Sequence, residues 1–396
     1  MLELTSGQSE LLDRITRWYN DYHNGNKTGY QHPQWFAYSG AAGCGKTTVI
    51  REFLNSLCLR DDYIGCAYTG KAVLQMLRQG LKAKTIHSLI YDVVSYYRMD
   101  PITHKKIPVF EFVLKKRLDK EVSLIIVDEA PMVNDDMCKE ILSFGIPVIF
   151  VGDMNQLPPV FGRSTIMENP DFVLTQIMRQ SADNPIVQLS QMVLKDIPLL
   201  EGKYGTSEVV REFDLGKSLL DDYDQIICFT NSLRQEINNY CRTELLGFKT
   251  IDPRLFDKII CRQNNWDIEK DGFYLTNGTS GVITDIDRSH VGNGYYIINF
   301  HPDYFEDGVD FEGLRIDARY IKLNHEDQKV IMRTQNEKFE YSYAITAHLS
   351  QGSEYPRVFF IDSYFGTPEL TKKARYTAIT RAMDRITIVS MSRRRY

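Results

Sequence analysis

Residues 40–47 have the sequence Gly-Ala-Ala-Gly-Cys-Gly-Lys-Thr, which matches the pattern G-x-x-x-x-G-K-[ST]. An apolar run at residues 34–39 precedes this stretch, and a helix-like segment at 48–57 follows it. The sequence therefore predicts a strand, a glycine-rich loop and a helix, in that order. A glycine-rich turn that binds no ligand is the alternative, and the matching strand and helix argue against it.

A loop of this kind is suited to holding phosphate groups. Glycines let consecutive backbone N–H groups turn towards phosphate oxygens, and the amino end of the helix attracts anions. We expect Lys46 to bridge the β and γ phosphates of a nucleotide and Thr47 to bind Mg²⁺. The residues predicted to line the nucleotide in this loop are Gly43, Cys44, Gly45, Lys46, Thr47 and Thr48.

Polar side chains follow two further apolar runs. Asp128 and Glu129 come directly after residues 124–127, and Gln156 follows residues 147–151. Ligands of open parallel α/β sheets bind at the carboxyl ends of the strands. We expect Asp128 to hold Mg²⁺, Glu129 to accept a proton from the attacking water, and Gln156 to sense the γ-phosphate or position water. Without the phosphate loop, Asp128 and Glu129 could equally belong to a solvent-exposed turn after a strand.

The composition excludes several classes of protein. The chain has 396 residues, 43% hydrophobic and 25% charged, which is typical of two or three soluble domains. No apolar stretch approaches the ~18 residues of a membrane span, and no leader is readable, so we expect a cytoplasmic location and no membrane partner. Seven cysteines without a C-x-x-C pair fit neither a disulfide framework nor a zinc site. At a net charge of −5, nucleic-acid binding would need a local basic groove.

Short apolar runs alternate with helix-like segments, which predicts an α/β fold with parallel sheets. In the first half of the chain these runs are 34–39, 63–68, 124–127 and 147–151. We predict a first core at 1–90 and 121–178, interrupted by a hairpin at 91–120. A second core, with a helix at 232–246, is expected at 179–250 and 337–396, interrupted by a β-rich insertion at 251–336. Within the hairpin, residues 101–120 carry six Lys or Arg and two acids.

Three stretches of the second half resemble motifs of superfamily 1 helicases: 174–180, 343–354 and 376–382. Together with the first-core motifs, the resemblance covers nearly the whole chain. Residues 67–72 and 85–89 are most similar to the RecD and phage Dda branch. The resemblance implies two RecA-like P-loop NTPase cores, an SH3-like insertion and a hairpin that acts as a strand-separating pin. A plain solvated hairpin is the alternative for the last.

The resemblance also implies roles for single residues. Gln8 would read adenine, Glu354 would bond the ribose, and Arg179 and Arg381 would reach the γ-phosphate. If an arginine is considered without its motif, the alternative is an ion pair at the surface or an interface. If a histidine is considered without its motif, the alternative is a structural role. The residues expected to contact DNA lie in loops after strands of the two cores, and they are Thr69, Lys71, Thr85, His87, Ser88, Asn231, Thr346, His348 and Gln351.

One residue departs from the pattern of this branch. Pro131 stands where a small polar residue is more common. The departure leaves the ATPase chemistry intact but raises the question of how this loop is coupled to DNA.

The function implied by the resemblance is that of an ATP- and Mg²⁺-dependent DNA helicase, which translocates 5′ to 3′ on single-stranded DNA and couples hydrolysis to closure of two cores. We expect a monomer in a bacterial or phage-infected cell, with replication or recombination proteins as partners. An RNA translocase of the same superfamily and a nucleotide-gated single-strand clamp are the alternatives. A small-molecule kinase would leave the residues after about 180 unexplained.

Overall fold

The structure is a computed structural model that describes residues 4–26, 29–30, 32–59, 62–99, 106–159, 161–176, 184–213, 216, 218–270, 273–303, 305, 309–322, 328 and 336–390. The chain divides into two compact units, Met1–Gln188 and Leu189–Tyr396. The domain bounds inferred from the sequence stay predictions.

The first unit is built on a six-stranded parallel sheet. Its strands lie in the order β3-β2-β6-β7-β1-β8. The bounds of the strands are β1 Trp35–Gly40, β2 Tyr63–Ala67, β3 Ala83–Thr85, β4 Tyr91–Met99, β5 Lys106–Leu114, β6 Leu124–Asp128, β7 Val148–Gly152 and β8 Phe172–Leu174. The helices are α1 Ser6–His23, α2 Lys46–Ser56, α3 Gly70–Arg78, α4 Ile86–Ile90, α5 Asp135–Leu142 and α6 Thr165–Glu168, with a 3-10 turn at Ala130–Met132.

The four apolar runs of the first half form β1, β2, β6 and β7, each within one residue of its predicted bounds. These strands are continuous apolar runs because both faces of a parallel sheet are covered. Leu124, Ile126 and Ile149, for example, are buried. The edge strands β3 and β8 were not predicted, since three residues are too short to show a period.

Strands β4 and β5 form the predicted hairpin. They pair antiparallel from Tyr91 opposite Leu114 to Met99 opposite Lys106. Tyr97 and Met99 expose large apolar side chains. Residues 100–105 at its tip lie outside the described residues, so only part of the basic segment is visible. A role as strand-separating pin stays a prediction.

The second unit contains another largely parallel sheet, with strand order β19-β11-β20-β21-β10-β9, in which only β9 is antiparallel to its neighbour. Its strands are β9 Gly202–Tyr204, β10 Ser207–Val210, β11 Gln225–Cys228, β19 Ala344–Thr346, β20 Tyr355–Asp362 and β21 Ala382–Ser390. The helices are α7 Pro185–Leu194, which spans the division between the units, α8 Leu219–Asp222, α9 Asn231–Tyr240 and α10 Pro368–Ile379. The single helix expected at 232–246 is α9 followed by a π-helical turn, Cys241–Leu245.

Four strands of the predicted insertion, together with β18 just beyond its predicted end at residue 336, form a five-stranded antiparallel sheet with strand order β17-β16-β15-β12-β18. The strands of this region are β12 Lys258–Cys261, β13 Asn265–Lys270, β14 Phe273–Leu275, β15 Ser280–Asp287, β16 Tyr295–Pro302, β17 Phe311–Asp317 and β18 Phe339–Tyr341, with 3-10 turns at Val291–Asn293 and Tyr320–Lys322. Strands β13 and β14 form a separate hairpin. The two parallel sheets and the β-rich insertion confirm the predicted α/β fold, while the SH3-like identity of the insertion stays a prediction.

A buried ion pair joins the insertion to the second core. The Arg242 guanidinium, on the π-helical turn, donates to both carboxylate oxygens of Asp257 at 3.1 and 3.0 Å. The Tyr341 ring lies 3.9 Å from the guanidinium, and the Tyr343 hydroxyl donates to Asp257 at 2.6 Å. Because neither charge is exposed, each depends on the other for compensation.

In the ranges that the structure describes, no helix combines the length and apolar character needed to cross a membrane.

We predict that Asp257→Asn destabilises the second unit by about 3–5 kcal/mol, because the change leaves the Arg242 charge buried without a counterion. Urea unfolding measures this change. The control is Glu201→Gln, which breaks the exposed Arg211–Glu201 pair in the same unit and is expected to change stability by less than about 1 kcal/mol. Equal effects of the two substitutions would contradict the prediction.

Candidate functional site

The glycine-rich loop lies between β1 and α2, as predicted. Gly43 and Gly45 adopt φ values of 79° and 78°. Residues with a side chain rarely adopt this left-handed conformation, so glycine is strongly favoured at both positions. The helix begins at Lys46 directly after Gly45, and Thr47 and Thr48 lie in its first turn. The backbone N–H groups of this turn are therefore available to an anion.

Lys46 folds back over the loop. Its Nζ donates to the carbonyl oxygen of Gly40 at 2.8 Å and to that of Ala41 at 3.4 Å. The Tyr38 hydroxyl donates to the Lys46 carbonyl oxygen at 2.9 Å, which fixes the start of α2. Phosphate oxygens are stronger acceptors for an ammonium group than neutral carbonyls are. The ammonium group can thus exchange its loop contacts for contacts with a phosphate.

Asp128 ends β6, which is separated from β1 by β7 alone. One carboxylate oxygen accepts the Glu129 N–H at 2.9 Å. Burial raises the pKa of Asp128, while that N–H and the Lys46 charge oppose the increase. A half-buried carboxylate and the hydroxyl of Thr47, which lies in the first turn of α2, are oxygen ligands of the kind that Mg²⁺ prefers. The donor set therefore fits a nucleotide-bound Mg²⁺.

The backbone after Asp128 is tightly constrained. Glu129 has a φ of 49°, an uncommon conformation for a residue other than glycine. The Ser164 hydroxyl donates to the Ala130 carbonyl oxygen at 3.2 Å. A Cβ atom on Gly152 would clash with the Pro131 ring. Pro131, the departure noted in the sequence, thus packs the Glu129 loop against the end of β7.

Gln156 lies in the loop after β7 and is buried, and its Oε1 has no hydrogen-bond partner within the described ranges. The Gln156 N–H donates to the Asp153 carbonyl oxygen at 3.0 Å, and the Met154 N–H donates to Ser39 Oγ at 3.0 Å. A buried acceptor without a donor is costly. This oxygen is therefore ready to accept a hydrogen bond from water.

Gln8 is buried at the start of α1. Its Oε1 accepts the Thr5 N–H at 2.9 Å, and its Nε2 donates to the Cys44 carbonyl oxygen at 3.0 Å. The contact with the phosphate loop was not predicted from the sequence. The pattern Thr-x-x-Gln at residues 5–8, a signature of a capping box, could have revealed the first of the two bonds.

The DNA-contact candidates of the first unit lie after β2 and β3, which are neighbours in the sheet. Thr69 caps α3 by accepting the Ala72 N–H at 3.3 Å, and Thr85 caps α4 by accepting the Ser88 N–H at 3.2 Å. All of these candidates were predicted to lie in loops, and the prediction is wrong for three of them. Lys71, His87 and Ser88 lie in the first turns of the two helices, since the threonines end the loops by capping.

His87 is packed among three aromatic rings. The centroids of Tyr68, Tyr91 and Phe112 lie 5.6, 5.7 and 5.6 Å from the imidazole. Burial lowers the pKa of His87 to about 4, so the imidazole is neutral near pH 7. Tyr68 and Phe112 remain 42% and 40% exposed. Sequence reasoning missed this aromatic surface because Phe112 belongs to the hairpin and joins the others only in the fold.

The candidates of the second unit lie at the carboxyl ends of the neighbouring strands β11 and β19. Asn231 begins α9 and Thr346 ends β19, so the prediction that they lie in loops is wrong for these two residues. The Thr346 hydroxyl accepts the Leu349 N–H at 3.3 Å. His348 lies 5.9 Å from the Phe365 ring, and burial lowers its pKa. Gln351, which is buried, follows on the same segment. The fold thus brings the four candidates to one edge of this sheet.

Arg381 is held within the second unit. Its guanidinium donates to the carbonyl oxygens of Thr377 and Ser353 and to Thr380 Oγ1, each at 3.2 Å. Glu354 is exposed next to Ser353 and is therefore near Arg381. Arg179 lies outside the described residues. The nucleotide and DNA roles of all these residues stay predictions.

Comparison with known proteins identifies two matching families. Residues 28–162 match the AAA domain family, and residues 341–389 match the UvrD-like helicase C-terminal domain family. The ATP-dependent RecD2 DNA helicase of Deinococcus radiodurans is 26% identical over 379 residues, which are 88% of this chain and 46% of that protein. The chain spans about half the length of this relative and a smaller part of the other curated relatives that it matches.

Solved structures of Pif1 helicases share the fold. A Bacteroides Pif1 in complex with ADP-AlF3 and single-stranded DNA has a TM-score of 0.54 at 16% identity, over 99% of this chain and 94% of that one. Pif1 from a structure of unwinding at forked double-stranded DNA has a TM-score of 0.55 at 19% identity, over 99% and 93%. Together with the family matches, these findings confirm the predicted resemblance to superfamily 1 helicases of the RecD kind, and they add a likeness in fold to Pif1 helicases, which was not predicted.

We predict that the stability of the first unit falls between about pH 6.5 and 4 in part because of His87. The unfolded chain binds a proton at the imidazole near 6.5, whereas the folded unit does so only near 4. Above pH 6.5 the group is neutral in both states and contributes no slope. Urea unfolding of His87→Gln and the unsubstituted protein, from pH 8 to 4.5, measures the effect. The variant should lose less stability below pH 6.5, and identical slopes would refute the assignment.

Proposed function

We propose that the chain is an ATP-dependent DNA helicase that moves along single-stranded DNA and separates duplexes. One observation carries the proposal: the phosphate loop and the Asp128–Glu129 pair lie at the same edge of one parallel sheet. The match of residues 341–389 to a helicase C-terminal family supports a motor rather than a small-molecule kinase. The RecD2 relative and the Pif1 structures support DNA as the track.

In this proposal the phosphate loop binds the ATP phosphates through the backbone N–H groups at the start of α2. Lys46 leaves its carbonyl partners for the β and γ phosphates. Thr47 and Asp128 would hold Mg²⁺, which would neutralise charge on the phosphates. Glu129 accepts the proton of the attacking water. The free oxygen of Gln156 orients that water.

Further roles are assigned to residues of the second unit. Arg381 and Arg179 would stabilise the charge on the transferred phosphoryl group, and Glu354 would bond the ribose. The Arg381 bonds to two backbone carbonyls and a hydroxyl preorient its guanidinium. Because the phosphate loop belongs to the other unit, hydrolysis would be linked to the motion of the units.

We propose that the track is held mainly through its phosphates. The candidate residues are hydroxyls, amides, a lysine and histidines that burial keeps neutral, and such groups bind the backbone without reading sequence. Movement from 5′ to 3′ rests on the resemblance to the RecD and Dda branch. The monomeric state, the cytoplasmic location and replication or recombination partners also stay predictions.

The test compares ATP hydrolysis with single-stranded DNA, RNA and duplex, and then unwinding of duplexes tailed at either end. Stimulation by single-stranded DNA and unwinding from a 5′ tail are expected. Greater stimulation by RNA would favour the RNA translocase. Stimulated hydrolysis without strand separation would favour the single-strand clamp, and hydrolysis indifferent to nucleic acid would favour a kinase.

We predict that Lys46→Ala lowers ATP turnover by about a hundredfold or more, because it removes a charge that stabilises the transition state. Binding of single-stranded DNA without nucleotide should survive. ATPase assays and fluorescence anisotropy measure the two effects. Lys139→Ala, which removes an exposed lysine paired with Asp136, serves as the control and should keep both activities. Loss of DNA binding together with turnover in Lys46→Ala would show that the fold, not the chemistry, was damaged.

A further inference from the structure

The amide of Gln8 connects the start of α1 to the phosphate loop. The side chain is 1% exposed. Its Oε1 completes the capping box with the Thr5 N–H, and its Nε2 donates to the Cys44 carbonyl oxygen at 3.0 Å. Both polar atoms of the amide are thus engaged by this chain itself. A residue whose only role is to bind the adenine base would not need the contact with the Cys44 carbonyl oxygen.

The bond to Cys44 fixes the direction of a neighbouring donor. The Cys44 carbonyl and the Gly45 N–H belong to one planar peptide group, in which they point in opposite directions because the bond is trans. Holding the carbonyl towards Gln8 therefore turns the Gly45 N–H away from Gln8. Gly45 has a φ of 78°. Because glycine has no side chain, its backbone can adopt this and many other conformations. Without an anchor, this peptide group could rotate.

The anchor itself is rigid. Leu11 and Ile15 of α1 lie in one buried cluster with Val49 and Phe53 of α2. The two helices thus pack against each other just beyond the loop. Because Gln8 occupies the first turn of α1, its amide is held at a fixed position relative to the start of α2.

We propose that Gln8 is a positioning residue, which orients the Cys44–Gly45 peptide group for binding of a polyphosphate chain. Its contribution to nucleotide affinity is then independent of the base. The inference rests on the proposed function for the identity of the ligand. It differs from adenine reading in a measurable way, since a base contact cannot affect a ligand that has no base.

The deciding variant is Gln8→Glu, with inorganic tripolyphosphate, ATP and GTP as ligands in the presence of Mg²⁺. A glutamate keeps an acceptor for the Thr5 N–H but cannot, when ionised, donate to the Cys44 carbonyl. Calorimetry should show affinity weakened by about two- to tenfold, by the same factor for all three ligands. Unchanged tripolyphosphate affinity with weaker ATP binding would overturn the proposal in favour of adenine reading.

Two further variants separate positioning from damage to the fold. Gln8→Met has a similar length and no hydrogen-bonding amide, so it should weaken the affinity for all three ligands by the same factor. This variant decides between the two roles if Gln8→Glu does not fold. Thr5→Ala removes the hydroxyl that accepts the Gln8 N–H at 3.3 Å but leaves the Cys44 contact. It should therefore keep full tripolyphosphate affinity. Weakening by Thr5→Ala as strong as that by Gln8→Glu would reduce the role of Gln8 to helix stability and overturn the proposal.

The outcome for the proposed function is read separately, from the unsubstituted protein. Absence of ATP binding by that protein would defeat the proposed function. Normal ATP hydrolysis and unwinding, combined with tripolyphosphate affinity that does not change in either Gln8 variant, would defeat only the positioning role.

Discussion

The exposed N–H groups at the start of α2 are the constraint on which the first unit depends. Gly45 precedes the helix and has no side chain with which to cap it. The other helix-capping residues described above, such as Thr69 and Thr85, accept an N–H group of their own helix with the side-chain hydroxyl. The donors of α2 are instead left for an anion, and Asp128 and Glu129 are kept two strands away, where they do not compete with that anion for the N–H groups.

The sequence predicted those parts of the fold and site that depend on neighbours along the chain. The glycine pattern fixed the loop, and uninterrupted apolar runs located β1, β2, β6 and β7, since such runs reflect burial on both faces. Contacts between distant segments were missed. Neither the bond from Gln8 to Cys44 nor the packing of Pro131 on Gly152 leaves a periodic signal, because each depends on a single side chain meeting a distant backbone.

Less of the second unit could be predicted from the sequence. Its motifs were located by resemblance, but the attachment of the insertion had no sequence signal. Arg234 on α9 pairs with Glu340 at 2.6 Å, and both are buried, as are Arg242 and Asp257. Buried charges of this kind must meet good partners or destabilise the fold. Since α9 begins with Asn231, the insertion is attached to the same helix that carries a DNA-contact candidate.

The hairpin has a consequence for the energetics of the first unit. In the described part of the chain, β4 and β5 pair only with each other, so both outer edges of this ribbon lack a neighbouring strand. An isolated two-stranded ribbon is marginally stable in water. Its amide hydrogens should therefore exchange with solvent through local opening, long before those of the central strands β6 and β7, which exchange only when the whole sheet unfolds. Beyond the contacts of Tyr91 and Phe112 with His87, the ribbon can consequently change its conformation at little cost to the core that carries the phosphate loop.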